Sequence, residues 1–286
     1  QYQLARLMLY QDQQQEALEK LKAIQTAFIK HPSKAHHLRA QVFTSIAYFH
    51  RQQKNFEHAL NAYQQAYQQY SAIYGPTHPL THKALEKIAI TQYRLGHTEE
   101  SLALFQHHHR VIQDLYGADH ILSAFAKHNL ANIFSEHAID NKKAEQLYLS
   151  AITIAKNHYQ EAHNNLGIFH RSLAQHYQRL QQHTRAIHQL QQALQQFQQK
   201  PTPKQSNLAR TRLKLAESYW ALADTAASRQ QLAQAMPLLQ QAYDDDHPTL
   251  MQATQLLHEL DMASKNTNQA ATVSIKANQH QRERSS

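Results

Sequence analysis

Apolar positions recur at helical spacing along nearly the whole chain. Over 38–52 the residues Val42, Phe43, Ile46, Ala47 and Phe49 mark one face, and over 56–74 Phe56, Ala59, Leu60, Tyr63, Ala66, Tyr67 and Tyr70 mark another. Spacings of three and four residues place such side chains along one side of a helix, so the pattern predicts helix pairs. Breakers stand between them. Gly96-His97-Thr98 separates paired helices, and Tyr74-Gly75-Pro76, Tyr116-Gly117 and Pro201-Thr202-Pro203 close units. Gly there accepts a left-handed cap and Pro cannot continue a helix. Thr77 and Asp119 are expected to open the segments that follow.

The pairs repeat. Ala5, Ala47, Ala89, Ala131, Ala174 and Ala216 are separated by steps of 42, 42, 42, 43 and 42 residues, and Ala17, Ala59, Ser101, Ala144, Ala186 and Ser228 follow with steps of 42, 42, 43, 42 and 42. The one extra residue falls between Ala131 and Ala144, where a longer inter-helix turn absorbs it. A third series, Ala66, Ala151, Ala193 and Ala235, lies seven residues after the second, and Ile24 and His108 take that place in two units. Small residues at a fixed period let neighbouring helices approach closely.

Composition narrows the possibilities. With 4 Gly in 286 residues the chain lacks the glycine that strand-rich folds and phosphate-cradling loops need, and with no Cys it has neither disulfides nor thiolate metal sites. The charge is +8 with His neutral, which favours acidic partners. No run approaches a membrane span, and no secretory signal is visible.

The units Ile46-Ala47-Tyr48-Phe49 with His58-Ala59-Leu60 and Tyr63, and Leu130-Ala131-Asn132-Ile133-Phe134 with Lys143-Ala144-Glu145 and Tyr148, resemble the tetratricopeptide repeat. The longer period, with Tyr74-Gly75-Pro76-Thr77-His78-Pro79, Tyr116-Gly117-Ala118-Asp119-His120 and Tyr243-Asp244-Asp245-Asp246-His247-Pro248, is similar to its kinesin light chain subtype. The resemblance implies an all-α, right-handed solenoid of about six helix pairs over residues 1–263, with a terminal capping helix over 249–262. The polar segment 264–286, which loses the periodicity, is expected to be disordered. Similar arrays are appended to bacterial Ser/Thr kinases or transcriptional regulators. Because Ala5 falls inside a first helix, further protein is expected upstream of Gln1, and the expected location is cytoplasmic.

In such an array the first helix of each pair builds the inner wall. Counting from the alanine register puts Gln41, Thr44, Tyr48 and Arg51 there, and with them nine candidate partner-binding residues: Lys83, Lys87 and Arg94; His128, Asn129 and Asn132; then Arg171, Arg210 and Lys214. Arg and Lys form charge-assisted bonds to carboxylates, and Asn offers a donor and an acceptor to a peptide backbone, so an extended acidic peptide or a partner protein is the expected guest. By the resemblance, Asn129, just before Leu130-Ala131, would hold that backbone.

Two alternatives are a basic nucleic-acid-binding repeat and His-mediated metal binding. The basic residues are not concentrated in one linear segment, as nucleic-acid binders usually require. His107-His108-His109 cannot all face one ion from a helix, and the spacing of His78, His82 and Glu86 depends on whether His78 lies inside the helix. No cofactor and no catalytic constellation is expected, since phosphate loop, nucleophile elbow and His-Glu-x-x-His are missing from the sequence.

Overall fold

The computed structural model describes residues 1–9, 13–30, 36–199 and 204–283, with side chains in place except at 29, 30, 36 and 266–283. Among the described residues the chain is all α, with thirteen helices and no strand. They are α1 (Tyr2–Met8), α2 (Gln14–Lys30), α3 (His36–Gln52), α4 (Phe56–Tyr74), α5 (Pro79–Arg94), α6 (Thr98–Tyr116) and α7 (Ile121–Glu136), followed by α8 (Asn141–His158), α9 (Asn164–Arg179), α10 (His183–Gln198), α11 (Gln205–Ala221), α12 (Thr225–Ala242) and α13 (Pro248–Glu283). Among them α1–α2, α3–α4, α5–α6, α9–α10 and α11–α12 pack as pairs, as the periodicity predicts. The chain divides into two compact units, Gln1–Leu147 and Tyr148–Ser286.

Every residue of both small series is fully buried, the two serines included. The extra residue sits where the spacing places it: three residues link α3 to α4, α5 to α6, α9 to α10 and α11 to α12, whereas four link α7 to α8.

These links share one geometry. Lys54, Gly96, Ala138, Gln181 and Ala223 have φ between 50° and 84°. Beyond each, the next amide reaches five residues back, as in Asn55 N–H to His50 O at 2.9 Å and Asp224 N–H to Tyr219 O at 2.9 Å. The bond pattern is a Schellman cap, which satisfies carbonyls that a helix end leaves free. Only Gly96 carries the residue the conformation favours, so the turn is held mainly by its bonds and by packing. Gly75 and Gly117 differ: at φ 85° and 87° with ψ near 160° they occupy an extended region open to Gly alone, not the left-handed helical cap expected from the sequence.

At the unit starts the helix caps are His78 and His120, one residue beyond the expected Thr77 and Asp119. The Leu80 amide donates to His78 Nδ1 and the Leu122 amide to His120 Nδ1, each at 3.2 Å. His163 and His247 cap α9 and α13 in the same way. Each imidazole also stacks on the tyrosine four residues earlier, with centroids from 3.7 Å for Tyr159–His163 to 5.0 Å for Tyr116–His120.

The terminal helix α13 continues through Glu283, where the sequence reading ended it at Met262. After Pro248 no Pro or Gly interrupts it, and Ala, Gln and Lys sustain the helical backbone. Pro201-Thr202-Pro203 and the last three residues lie outside the described part.

Candidate partner-binding grooves

In the first unit the first helices of three successive pairs, with Tyr63 and Tyr70 of α4 as floor, line a groove of about 480 Å³. Helix α1 contributes Tyr2 and Arg6, α3 contributes Tyr48 and Arg51, and α5 contributes Lys83 and Lys87. No acidic side chain lines it. The Tyr2 hydroxyl lies 3.3 Å from Ser45 Oγ and 3.4 Å from the Gln41 carbonyl oxygen, tying α1 to α3. Arg51 lies over the Tyr48 ring, 5.5 Å from its centroid, and its Nε has no hydrogen-bond partner among the described residues. Burial pushes the Tyr70 hydroxyl above its ordinary pKa, which keeps it a neutral donor in the floor. Lys87 pairs with Glu86 at 3.3 Å.

The groove therefore combines four cations with the hydroxyls and aromatic faces of buried and half-buried tyrosines. Guanidinium and ammonium groups bind carboxylates by charge-assisted bonds, and tyrosines bury apolar stems while keeping a polar tip.

The nine candidates divide by position. Lys83 and Lys87 line this groove. Asn129 is committed to the neighbouring pair: its amide donates to Glu86 Oε1 at 2.7 Å. His128 is buried, with Nδ1 3.4 Å from Asn129 Oδ1, because its place on α7 faces packed helices and not the groove. Asn132 is half-buried. Arg94 is exposed at the end of α5, its guanidinium 5.7 Å from the Tyr93 ring centroid.

Arg171, Arg210 and Lys214 come together in the second unit, around a pocket of about 220 Å³ between α9, α11 and the start of α13. Lys214 Nζ pairs with Glu217 at 2.8 Å. Arg171 is only 8% exposed; its Nη1 donates to Asn207 Oδ1 at 3.3 Å and to the Asn207 carbonyl at 3.4 Å. Burial, with repulsion from Arg210 added, lowers its pKa to about 10.

The sequence reading missed Tyr2, Arg6, Tyr63 and Tyr70. Tyr2 and Arg6 carry a signal, since they stand three residues before and one after Ala5, as Thr44 and Tyr48 stand about Ala47. Tyr63 and Tyr70 belong to the core face of α4 and reach the groove only as its floor. The histidine motifs separate: His78 caps α5, His82 and His108 are buried, and His107 is exposed. Among the described residues no group of three or more His, Asp or Glu is placed to hold a metal ion.

The sequence matches the tetratricopeptide repeat family over residues 38–108, 83–157 and 160–241. It belongs to the tetratricopeptide repeat family. Repeats of this family are generally protein–protein interaction modules that bind proteins or peptides, on a scaffold that is typically non-catalytic. No curated protein matches the chain. Solved structures share its fold. BtubC (BKLC) from P. vanneervenii is 18% identical, with a TM-score of 0.62 over 81% of this chain and 89% of its own. A Podosopora anserina kinesin light chain with nearly identical TPR-like repeats is 19% identical, with a TM-score of 0.56 over 73% and 96%. A signal transduction ATPase with numerous domains from Pyrococcus horikoshii, carrying a tetratricopeptide repeat sensor, is 14% identical, with a TM-score of 0.66; 92% of this tetratricopeptide chain aligns with 38% of that protein. Among the described residues no helix is long and apolar enough to cross a membrane.

Proposed function

We propose that this tetratricopeptide repeat chain recognises a partner protein by holding an extended acidic segment in the groove of its first unit. The observation that carries this reading is the groove lining: Arg6, Arg51, Lys83 and Lys87 with Tyr2 and Tyr48 and no carboxylate among the lining residues. An incoming Asp or Glu side chain gains ion pairs there without displacing an acid, except near Lys87, where Glu86 competes. Complementary charge of this kind sets partner choice and association rate.

The likeness to a repeat sensor within a signal transduction ATPase supports a role as the recognition part of a larger signalling protein. Arrays on bacterial kinases or regulators, to which the sequence is similar, fit the same role.

The test is fluorescence anisotropy of labelled ten-residue peptides with the full chain. An Asp/Glu-rich peptide containing one Tyr should bind at about 10 μM, equivalent to roughly 7 kcal/mol. The Lys/Arg-rich counterpart should not. Equal binding of the two peptides, or stronger binding of single-stranded DNA than of the acidic peptide, would overturn the reading.

A further inference from the structure

The pocket of the second unit holds an arrangement that folding alone leaves electrostatically incomplete. Arg171 is more than nine-tenths buried, and its bonds go to the neutral acceptors of Asn207. Its guanidinium lies over Phe197, 5.4 Å from the ring centroid, so one side is fixed against an aromatic wall. The neighbouring charge is a second cation, Arg210, on the same pocket wall. Among the described residues neither arginine has a carboxylate within ion-pair distance.

Buried cations are normally paired, because removing a charge from water costs several kcal/mol unless an opposite charge or several good acceptors replace the hydration. The third cation, Lys214, already has Glu217. Two positive charges therefore remain without a counter-charge on one small pocket, Arg171 buried and Arg210 exposed to solvent beside it. Gln175, Gln252 and Thr249 add neutral polar groups to its lining. Thr249 is the second residue of α13, so the positive end of that helix also faces the pocket region.

We infer that this pocket is a binding site for a phosphoryl group, held between the Arg171 and Arg210 guanidiniums. A dianion balances both arginines, whereas a single carboxylate balances one. Guanidinium forks match the spacing of phosphoryl oxygens, and amide and hydroxyl donors suit those that remain. A pocket of about 220 Å³ accepts a tetrahedral group with its attached atoms and is smaller than the usual ligand cavity of about 300–1,000 Å³. The phosphoryl group comes either as free phosphate or on a phosphorylated serine of a partner. The pocket lies wholly in the second unit, so its function does not depend on the acidic-segment groove of the first.

The experiment is calorimetric titration of the full chain at pH 7.5 with inorganic phosphate, with acetate, and with an uncharged peptide carrying one phosphoserine, alongside its unphosphorylated form. One phosphoryl group should bind per chain, at least tenfold more tightly than acetate. Tighter binding of the phosphopeptide identifies a phosphorylated partner, and tighter binding of inorganic phosphate identifies the free ion; each supports the site. Arg210→Gln, at an exposed position, should weaken binding at least tenfold without changing helicity. Arg171→Gln should abolish binding. Should that variant unfold, Arg210→Gln together with loss of binding as the phosphoryl group becomes a monoanion near pH 5 decides the matter. No phosphoryl binding at 10 mM, binding no tighter than that of acetate, or binding unchanged in Arg210→Gln would overturn the assignment.

Discussion

Ser101 Oγ donates to the carbonyl oxygen of Ala89 at 2.9 Å, across the α5–α6 pair. Ser228 makes the same bond to Ala216 at 2.8 Å across α11–α12. The two serines thus replace alanine at the point where paired helices approach closely, and each finds its acceptor on the alanine of the other series. A buried hydroxyl without that acceptor would be destabilising, so the departures from the repeat are compensated locally.

Replacing Ser101 by Ala should cost about 0.5–1.5 kcal/mol, the net worth of one buried hydrogen bond, because the alanine packing of the other pairs is then restored. Ser101→Val should cost more, about 1–3 kcal/mol, by overpacking the same contact. Urea unfolding would rank them. Equal stabilities for the two variants would show that the site is not close-packed.

Gly167 marks another close approach. A Cβ at this position would lie 2.6 Å from a Phe197 ring carbon, within the α9–α10 pair. Its equivalents, seven residues before each alanine of the first series, are Ala40, His82, Ala124 and Ala209, so Gly is required here by the size of Phe197. Gly167→Ala should lower stability by about 1–2 kcal/mol although Ala favours helix, and Phe197→Leu should recover part of that loss in the double variant. Additive losses in a double-mutant cycle would contradict the contact.

The left-handed turn residues offer the reverse effect. Ala223 has φ 60° and Ala138 has φ 50°, a conformation that costs a residue with a side chain about 1–2 kcal/mol. Gly escapes this cost but gains entropy when unfolded, so Ala223→Gly should raise stability by roughly 0.5 kcal/mol. Thermal unfolding should show a melting point a degree or two higher. A lower one would mean that the Ala223 side chain contributes packing that outweighs its strain.

The helix pairs, their period, the small-residue contacts and the position of the longer turn were legible in the sequence because each follows from spacing along one chain. The groove was legible in part. Offsets from Ala47 and Ala89 located Arg51, Lys83 and Lys87, and the offset of Tyr48 from Ala47, applied to Ala5, gives Arg6. The burial of His128 and the Asn129–Glu86 bond were not legible, since both depend on how neighbouring pairs rotate against one another. The His78 cap was also hidden, because imidazole is an unusual N-cap and Thr77 and Asp119 are residue types that caps prefer.

Buried histidines make stability depend on pH. His82 and His108 occupy places where the second pair has Ala40 and Ala66, and their rings face each other at 5.7 Å. Neither nitrogen of His82 has a hydrogen-bond partner among the described residues. Burial lowers the pKa of both, that of His108 to about 4 despite the opposing pull of Glu86; His107 disfavours charge on both and His109 on His108. Burial also lowers His170 to about 4, against the Gln189 bond and with Lys156 and His188 adding to the shift. The folded-state pKa is below the ordinary 6.5, so the neutral form folds better. That stability is fully present above pH 6.5 and is lost as pH falls toward 4, by about 3 kcal/mol each for His108 and His170. Urea midpoints should fall steadily between pH 7 and 4.5. His82→Ala with His108→Ala, which recreates the second pair's contact, should flatten the part of this slope that these two histidines contribute, leaving that of His50 and His109, whose pKa values burial also lowers; an unchanged slope would place the titration elsewhere.

The claim on which the functional account rests is tested most directly by reversing charge in the groove. Arg51→Glu combined with Lys83→Glu should weaken the Asp/Glu-rich peptide at least tenfold in anisotropy titrations, leave the circular dichroism spectrum unchanged, and allow the Lys/Arg-rich peptide to bind. If the folded double variant binds the acidic peptide as tightly as the native chain does, the groove of the first unit is not where the partner is held.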